Sequence, residues 1–149
     1  MTSLLCGAEV AADGLGGQQT SIPRHDTPSI LDNIKYFCTS SRNHIQGSLV
    51  LLYGTPFVHV VLYKDDAKRH IRVLYSFEWD TRPECQQYAK PRILEQSDGS
   101  PDPFCLAQMD RVTNECDAAA GLDKRGGRLY VNCAIYGWSV YVGDPPRPV

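Results

Sequence analysis

The apolar residues of two stretches recur every three or four positions, the spacing of a helix that buries one face. In the first stretch they are Ile30, Ile34, Phe37 and Cys38. Asp26 and Pro28 precede them, and a capping side chain followed by a proline in the first turn is a typical helix start. This pattern predicts a first helix over about residues 28–40.

The second stretch begins in the same way, at Asp102 and Pro103. Its apolar stripe consists of Leu106, Met109, Val112, Thr113 and Cys116. We expect a second helix over about 103–119, ended by Gly121, because glycine readily adopts the left-handed conformation that follows many helices.

Five other segments are rich in β-branched and aromatic residues and are bounded by turn-forming residues, a pattern typical of strands. They are Ser48–Tyr53, Phe57–Lys64, His70–Trp79, Arg128–Cys133 and Tyr136–Gly143. Residues 1–25 and 144–149 lack such patterns, so we expect an irregular N-terminal arm and an extended C-terminal tail. These elements predict a single α+β domain over 1–149, an α/β-sandwich with two helices packed on an antiparallel sheet of about five strands.

The charged turn between the second and third strands predicts a pairing register. If Lys64 pairs with Arg69, the opposed residues are apolar throughout: Val58 with Tyr75, Val60 with Val73, and Leu62 with Ile71. His59 then lies opposite Leu74. A slip by one residue would turn each of these side chains to the other face of the sheet.

Six cysteines are spread over the whole chain: Cys6, Cys38, Cys85, Cys105, Cys116 and Cys133. None has the close spacing of a metal or redox motif, so we expect disulfides and neither a metal nor another cofactor. Disulfides persist mainly in oxidising compartments, which indicates a secreted protein. Met1–Cys6 is too short for the apolar core of a signal peptide, so either a leader is absent from this chain or the protein is cytosolic and reduced.

Helix geometry restricts the cysteine pairing. If Cys105 and Cys116 share the second helix, the eleven residues between their positions separate them by about 16 Å along its axis. They then cannot bond, because a disulfide needs Cα atoms within about 7 Å of each other. We expect their partners to be Cys85, from the loop that enters the helix, and either Cys38 on the first helix or Cys133 on the sheet.

The net charge of −2 and the charged fraction of 21% give no field that would attract nucleic acid or an anionic membrane. No segment approaches the ~20 apolar residues of a membrane span. The basic residues form two short clusters, within 64–72 and within 124–128, which we expect to be solvated turns. Composition therefore leaves a protein or a glycan as the expected partner.

The candidate acid and base groups are His59, His70, Glu78 and Asp80. Glu78 and Asp80 flank Trp79, share one face of a strand and would lie about 6.5–7 Å apart, close to the separation found in glycosidases. In the predicted register His59 lies about 13 Å from Glu78, so these two side chains form no dyad. His70 is expected at a solvated strand end.

Aromatic residues are concentrated in the predicted strands, where they serve either the core or a contact surface for sugars or proteins. The candidate binding residues are Trp138, Tyr136, Tyr141, Tyr63 and Trp79. Phe57, Val61 and Tyr63 face away from Val58 and Val60, so this hairpin is apolar on both sides and needs cover from a second layer or a partner.

Three groups of residues carry a resemblance to a known class of proteins. They are Ile34–Cys38 at the end of the first helix, Cys105 and Cys116 on the second, and Lys124–Gly127 leading to Cys133 and Trp138. In this respect the chain resembles small cysteine-rich secreted proteins of filamentous fungi, which include plant-directed effectors and killer-toxin-like proteins with α/β-sandwich folds. The resemblance implies an extracellular protein that acts on a host or competitor by binding, and it carries over no catalytic residue.

Three functional hypotheses follow from the sequence. The first is a secreted, effector-like or toxin-like protein that recognises a protein or glycan without catalysis. The second is a small secreted hydrolase of glycan or RNA that uses Glu78, Asp80 or a histidine. The third is a cytosolic protein with reduced thiols and an unrelated binding role.

Overall fold

The computed structural model of the chain describes residues 2–10, 18–39, 50–51, 57–64, 68–85, 92–93, 100–119 and 122–143. In chain order its elements are β1 (Thr2–Cys6), β2 (Gln19–Thr20), α1 (Thr27–Phe37), β3 (Val50–Leu51), β4 (Phe57–Lys64), β5 (His70–Trp79), β6 (Arg92–Ile93), α2 (Pro103–Glu115), β7 (Gly126–Val131) and β8 (Ala134–Val142). Within these residues, both helices pack on one face of a six-stranded antiparallel sheet. The predicted α+β class is therefore confirmed.

The main sheet has the order β1-β7-β8-β5-β4, and β2 pairs with β8 beyond the end of β7. β3 and β6 form a separate two-stranded ladder. Of the strand predicted over Ser48–Tyr53, Val50 and Leu51 belong to this ladder rather than to the main sheet, and the other residues lie outside the described ranges.

The expectation of an irregular arm is wrong for Thr2–Cys6, which forms β1 and pairs along its whole length with β7. The segment lacks apolar alternation because its adjacent leucines face opposite sides of the sheet: Leu4 packs against the core and Leu5 is exposed. Its structure comes from the edge of β7, which lies far away in sequence. Residues 11–17 of the arm and the predicted tail 144–149 lie outside the described residues.

The predicted register of β4 and β5 is wrong by one residue. Lys64 lies opposite His70 rather than Arg69, and Lys68 has a φ of 63°. The connection thus holds one more residue than expected and includes one in the left-handed region. The opposed pairs include His59 with Tyr75, Val60 with Leu74 and Leu62 with Arg72.

The main core lies between the sheet and the helices. Its buried side chains include Ile30, Ile34 and Phe37 of α1, Tyr75 and Phe77 of β5, Met109 of α2, and Tyr136 and Trp138 of β8. Burial of one such side chain contributes roughly 1.5–3 kcal/mol. Because strand side chains alternate between faces, the other residues of β5 and β8 point to the opposite side, the open face of the sheet.

A smaller apolar cluster lies on the open face, where Val10 packs against Leu74 and Tyr141. Val58 and Val60 of β4 join this cluster, whereas Phe57 and Val61 pack against the main core. The prediction that β4 is apolar on both sides is confirmed, and both faces receive cover from within the chain except at Leu62, which is 49% exposed.

The helix starts follow the sequence signals, but the helix ends do not. Asp102 caps α2 by accepting hydrogen bonds from the backbone N–H groups of Phe104 and Cys105, at 3.3 Å each. Pro28 lies in the first turn of α1 as expected, although the Asp26 side chain makes no capping hydrogen bond. α2 ends at Glu115, earlier than predicted.

Two cations hold the end of α2. Lys124 is buried, at 4% exposure, and its Nζ donates to the carbonyl oxygens of Thr113 and Cys116 at 2.8 and 3.0 Å. Arg24 donates to three carbonyl oxygens just beyond the helix, those of Asp117, Ala118 and Ala119. The expectation of a solvated turn is therefore wrong for Lys124, whose charge satisfies the unpaired carbonyls of the helix end.

All six cysteines form disulfides, and the bridges are Cys6–Cys116, Cys38–Cys105 and Cys85–Cys133. The prediction that Cys105 does not bond Cys116 is confirmed, and of the two alternatives Cys38 and Cys133, Cys38 is the partner of the second helix. The assignment of Cys85 to that helix is wrong. Cys133 lies in the turn between β7 and β8, which reaches the end of β5, where the Asp80 N–H donates to the Cys133 carbonyl at 2.7 Å.

Candidate functional site

A concave site, the Glu78 cleft, lies on the open face beside the turn between β7 and β8. Its volume is about 480 Å³, and its lining includes Ser3, Glu78, Asp80, Arg82, Arg128 and Tyr130. The floor comes from strands β1, β5, β7 and β8, and the wall comes from the loop that follows β5. Four strands and one disulfide-bonded loop therefore converge on the site.

Strand register builds the floor of the cleft. Glu78 lies opposite Ile135, Ile135 opposite Tyr130, and Tyr130 opposite Ser3. Directly opposed residues of antiparallel strands share one face of a sheet. The four side chains therefore form one row across β5, β8, β7 and β1.

An ion pair joins Glu78, at one end of this row, to Arg128 of β7. The Glu78 carboxylate accepts from the Arg128 guanidinium at 3.0 Å, and both side chains are largely buried. The Arg128 guanidinium also lies over the ring of Tyr130, 5.3 Å from its centre, a cation–π arrangement. Burial raises the pKa of the Glu78 carboxyl above its usual value, the Arg128 charge opposes this shift, and the Asp80 charge adds to it.

A second ion pair forms the wall. Asp80 is buried, and its carboxylate accepts from the Arg82 backbone N–H at 3.0 Å and from the Arg82 Nε at 2.7 Å. The Cys85–Cys133 disulfide closes the loop against the turn between β7 and β8. Asp80 therefore fixes the shape of the wall as well as contributing charge to the cleft.

Gly137 leaves space for the neighbouring strand and for Val10. It lies opposite Arg128 in the register of β7 and β8. A Cβ at this position would lie 2.9 Å from Val10 Cγ1 and would clash with the carbonyl oxygen of Gly127. The missing side chain thus permits the close approach that places Arg128 beside Glu78.

Three of the candidate binding residues are not available for contact. Trp138 and Tyr136 are fully buried in the main core, and Tyr141 is buried beneath Val10 and beside Arg72. The expectation that these rings form a binding surface is corrected: Tyr136 and Trp138 lie at even positions of β8, which face the helices, and Tyr141 faces the open side but is covered by Val10. Trp138 instead donates a hydrogen bond from Nε1 to the Thr113 hydroxyl at 3.0 Å.

The other two candidates have different outcomes. Trp79 borders the Glu78 cleft, but its half-buried ring packs against the main core, edge-on to Phe77 at 5.4 Å, on the helix side of the sheet. The side chain of Tyr63 lies outside the part of the chain that the structure describes. Among the described residues, no aromatic ring of the predicted set thus lies in the cleft.

The candidate acid and base residues separate into two groups. Glu78 and Asp80 line the same cleft, as their spacing predicts. His59 lies on the helix side of the sheet, 5.2 Å from the Tyr36 ring, and the exposed His70 begins β5, about 26 Å along the strand from Glu78. Neither histidine belongs to the cleft.

Sequence reasoning missed Arg128 and Tyr130. Arg128 was placed at the start of a predicted strand and in a basic cluster interpreted as a solvated turn, but it lies within β7 and is one-quarter exposed. Alternation was the available signal: Leu129 faces the core, so the residues on either side of it face the open side.

Within the described ranges, no three His, Cys, Asp or Glu side chains converge as a metal site requires. Among the same residues, no helix combines the length and apolar character needed to cross a bilayer. No known family model, curated protein or solved structure matches the chain.

Proposed function

We propose that this protein is a secreted, disulfide-stabilised binding protein that recognises an extracellular protein or glycan through the Glu78 cleft, without catalysis. The observation that carries the proposal is the convergence of two carboxylate–guanidinium pairs and the ring of Tyr130 in one concave site. Arginine, tryptophan and tyrosine are the residues most enriched where binding energy is concentrated.

The state of the charged groups favours binding over reaction. Both oxygens of Asp80 accept hydrogen bonds from Arg82, and Glu78 accepts one from Arg128. A general base must instead reach a substrate proton directly. Carboxylates held by guanidinium groups are fixed in place, and a rigid site loses little entropy when it binds a ligand.

Export is the second part of the proposal. Three disulfides join distant parts of the chain, and such bridges are consistent with an oxidising, extracellular location. Mass measurement of the purified protein tests this part. A gain of six mass units on reduction, two for each of three bridges, is the expected result, and recovery with free thiols from a secreting host would contradict it.

An effector-like or toxin-like role, as in small secreted fungal proteins, is the biological setting that fits this proposal. Its support is the combination of a small disulfide-stapled α+β domain with a preformed binding cleft.

A variant pair tests the binding role of the cleft. Arg128→Gln removes the central cation of the cleft, and Arg111→Gln breaks a comparable pair with Glu115, at 2.8 Å, on the exposed side of α2. The assay is binding to an array of immobilised extracellular proteins and polysaccharides. We expect Arg128→Gln to lose about tenfold or more in affinity and Arg111→Gln to match the wild type; equal binding by all three proteins would refute the cleft as the site.

A small hydrolase of glycan or RNA is the second candidate, favoured by the raised pKa of Glu78 beside Asp80. A carboxyl that keeps its proton to higher pH can act as a general acid. The test is turnover of polysaccharide and RNA substrates by the wild type and Glu78→Gln. Turnover that Glu78→Gln abolishes would establish the hydrolase and overturn the binding proposal.

A further inference from the structure

We infer that the ligand of the Glu78 cleft is a neutral oligosaccharide. This inference rests on the proposed binding role of the cleft and narrows it to one chemical class. Its basis is the charge, the polarity and the dimensions of the site.

The charges of the cleft cancel. Among the residues that line the cleft, Glu78 is paired with Arg128, and Asp80 with Arg82, which also lies 3.7 Å from Glu84 outside the lining. An anionic ligand would meet two carboxylates, and a cationic ligand two guanidinium groups, so either would compete with an existing pair. A neutral hydroxyl group can donate to a carboxylate and accept from a guanidinium while both pairs stay intact.

The lining is polar in one part and apolar in another. The hydroxyls of Ser3 and Tyr130 stand beside Ile135 and the exposed Leu5, and the ring of Tyr130 adds an aromatic surface. A sugar ring has the matching character, because hydroxyls lie along its edge and C–H groups on its faces, which pack on apolar and aromatic surfaces.

The dimensions favour a short oligosaccharide over a protein surface. At about 480 Å³ the cleft falls in the size range of small-ligand sites, whereas a stable protein interface buries about 800 Å² on each partner. The row from Glu78 to Ser3 crosses three inter-strand steps, roughly 14 Å, which is longer than a single sugar ring.

Calorimetric titration with a panel of hexasaccharides tests the inference. The neutral members are hexamers of N-acetylglucosamine, of β-1,3-linked glucose and of mannose. Their charged counterparts are the hexamer of glucosamine, which is cationic, and that of galacturonic acid, which is anionic. We expect at least one neutral hexamer to bind, and both charged hexamers to bind about tenfold more weakly or not at all.

A matched pair of leucine substitutions assigns the binding to the cleft. Leu5 lines the cleft and Leu122 lies outside it, and both are 47% exposed, so Leu5→Glu and Leu122→Glu place a new charge at equally solvated positions. Because Leu5 is an exposed side chain, its replacement leaves the core unchanged. We expect Leu5→Glu to lose about tenfold in affinity and Leu122→Glu to stay within about twofold of the wild type.

The outcomes separate this inference from the proposed function. Absence of binding to every neutral hexamer, or equal binding of a charged one, overturns the neutral-glycan inference. If array proteins still bind the wild type and not Arg128→Gln, the binding role of the cleft stands with a protein partner. Equal neutral-glycan affinity for the Leu5→Glu variant and the wild type overturns the assignment to this cleft.

Discussion

Removal of the Cys85–Cys133 bridge should weaken ligand binding. The loss of affinity should be larger than the loss of folding stability alone would cause. The bridge ties the wall of the Glu78 cleft to the turn between β7 and β8. Cys85→Ala combined with Cys133→Ala leaves the four strands of the floor intact and releases the loop that carries Asp80 and Arg82.

The loss of stability can be worked from the length of the closed loop. The bridge spans 48 residues, for which the chain-entropy relation gives about 4 kcal/mol. The other two bridges do not shorten this loop, because the partners of Cys105 and Cys116 precede Cys85 in the chain. Against a usual domain stability of about 5–15 kcal/mol, we expect a folded but weakened protein.

A second bridge provides the matched control. Cys38–Cys105 spans 67 residues and joins α1 to the start of α2, on the far side of the sheet from the cleft. Because the Cys6–Cys116 bridge shortens the loop that Cys38–Cys105 closes, removal of Cys38–Cys105 should cost about 4 kcal/mol by the same relation. The two double variants therefore lose similar stability at different places.

Urea unfolding and ligand titration distinguish the two effects. With a slope of about 2 kcal/mol per molar urea, each double variant should unfold at about 2 M lower urea than the wild type. Only the variant without Cys85–Cys133 should lose affinity and show faster amide hydrogen exchange at Asp80. Equal affinity losses in the two variants, or a normal affinity without Cys85–Cys133, would refute the role of the bridge in forming the wall.

Three further predictions concern single residues. Lys124→Met should lower the free energy of unfolding by about 2 kcal/mol in urea titrations, because charged hydrogen bonds to helix carbonyls are lost. Gly137→Ala should lower it by about 1–3 kcal/mol, since the new Cβ meets neighbouring atoms. In NMR titrations the pKa of Glu78 should lie above 4.5, rise further in Arg128→Gln and fall in Asp80→Asn. Protonated Glu78 therefore adds stability that is complete below pH 4.5 and is lost as the pH rises through the pKa of the folded state.

Local signals in the sequence predicted the elements whose causes are local. The stripe of Ile30, Ile34 and Phe37 and the cap at Asp102 act within a few residues, so both helices could be predicted from them. The end of α2 could not be predicted in this way. It depends on Lys124, which reaches the helix end from the start of the C-terminal hairpin.

Elements that depend on distant partners were missed or misplaced. Thr2–Cys6 becomes a strand through the edge of β7, and without that strand the partner of Cys116 could not be identified. The β4–β5 register failed because nothing in the composition of the turn indicated that Lys68 adopts a left-handed conformation. Because the connection is one residue longer than predicted, every opposed pair changed.

In the candidate site, the alternation of side chains along a strand decides whether a residue lies in the core or in the cleft. Aromatic character does not decide it. Tyr136 and Trp138 lie at positions of β8 that face the helices, whereas Tyr130 lies at a position of β7 that faces the open side. The prediction selected residues by their aromatic character, and so it selected rings that lie in the core. The informative pattern was the alternation around Leu129, which places Arg128 and Tyr130 on the open face.

A two-residue turn between β7 and β8 determines which side chains of β7 face the open side, and it also determines the shape of the cleft. Asn132 and Cys133 both have positive φ, 48° and 71°, the conformation of a tight hairpin turn whose twist suits the strands on either side. The turn sets the register of β7 against β8 and so places Arg128 and Tyr130 on the open face. Because Cys133 also holds Cys85, the same turn anchors the wall. A change in the length of this turn would therefore displace the floor and the wall of the cleft at once, whereas a similar change between β4 and β5 would leave both in place.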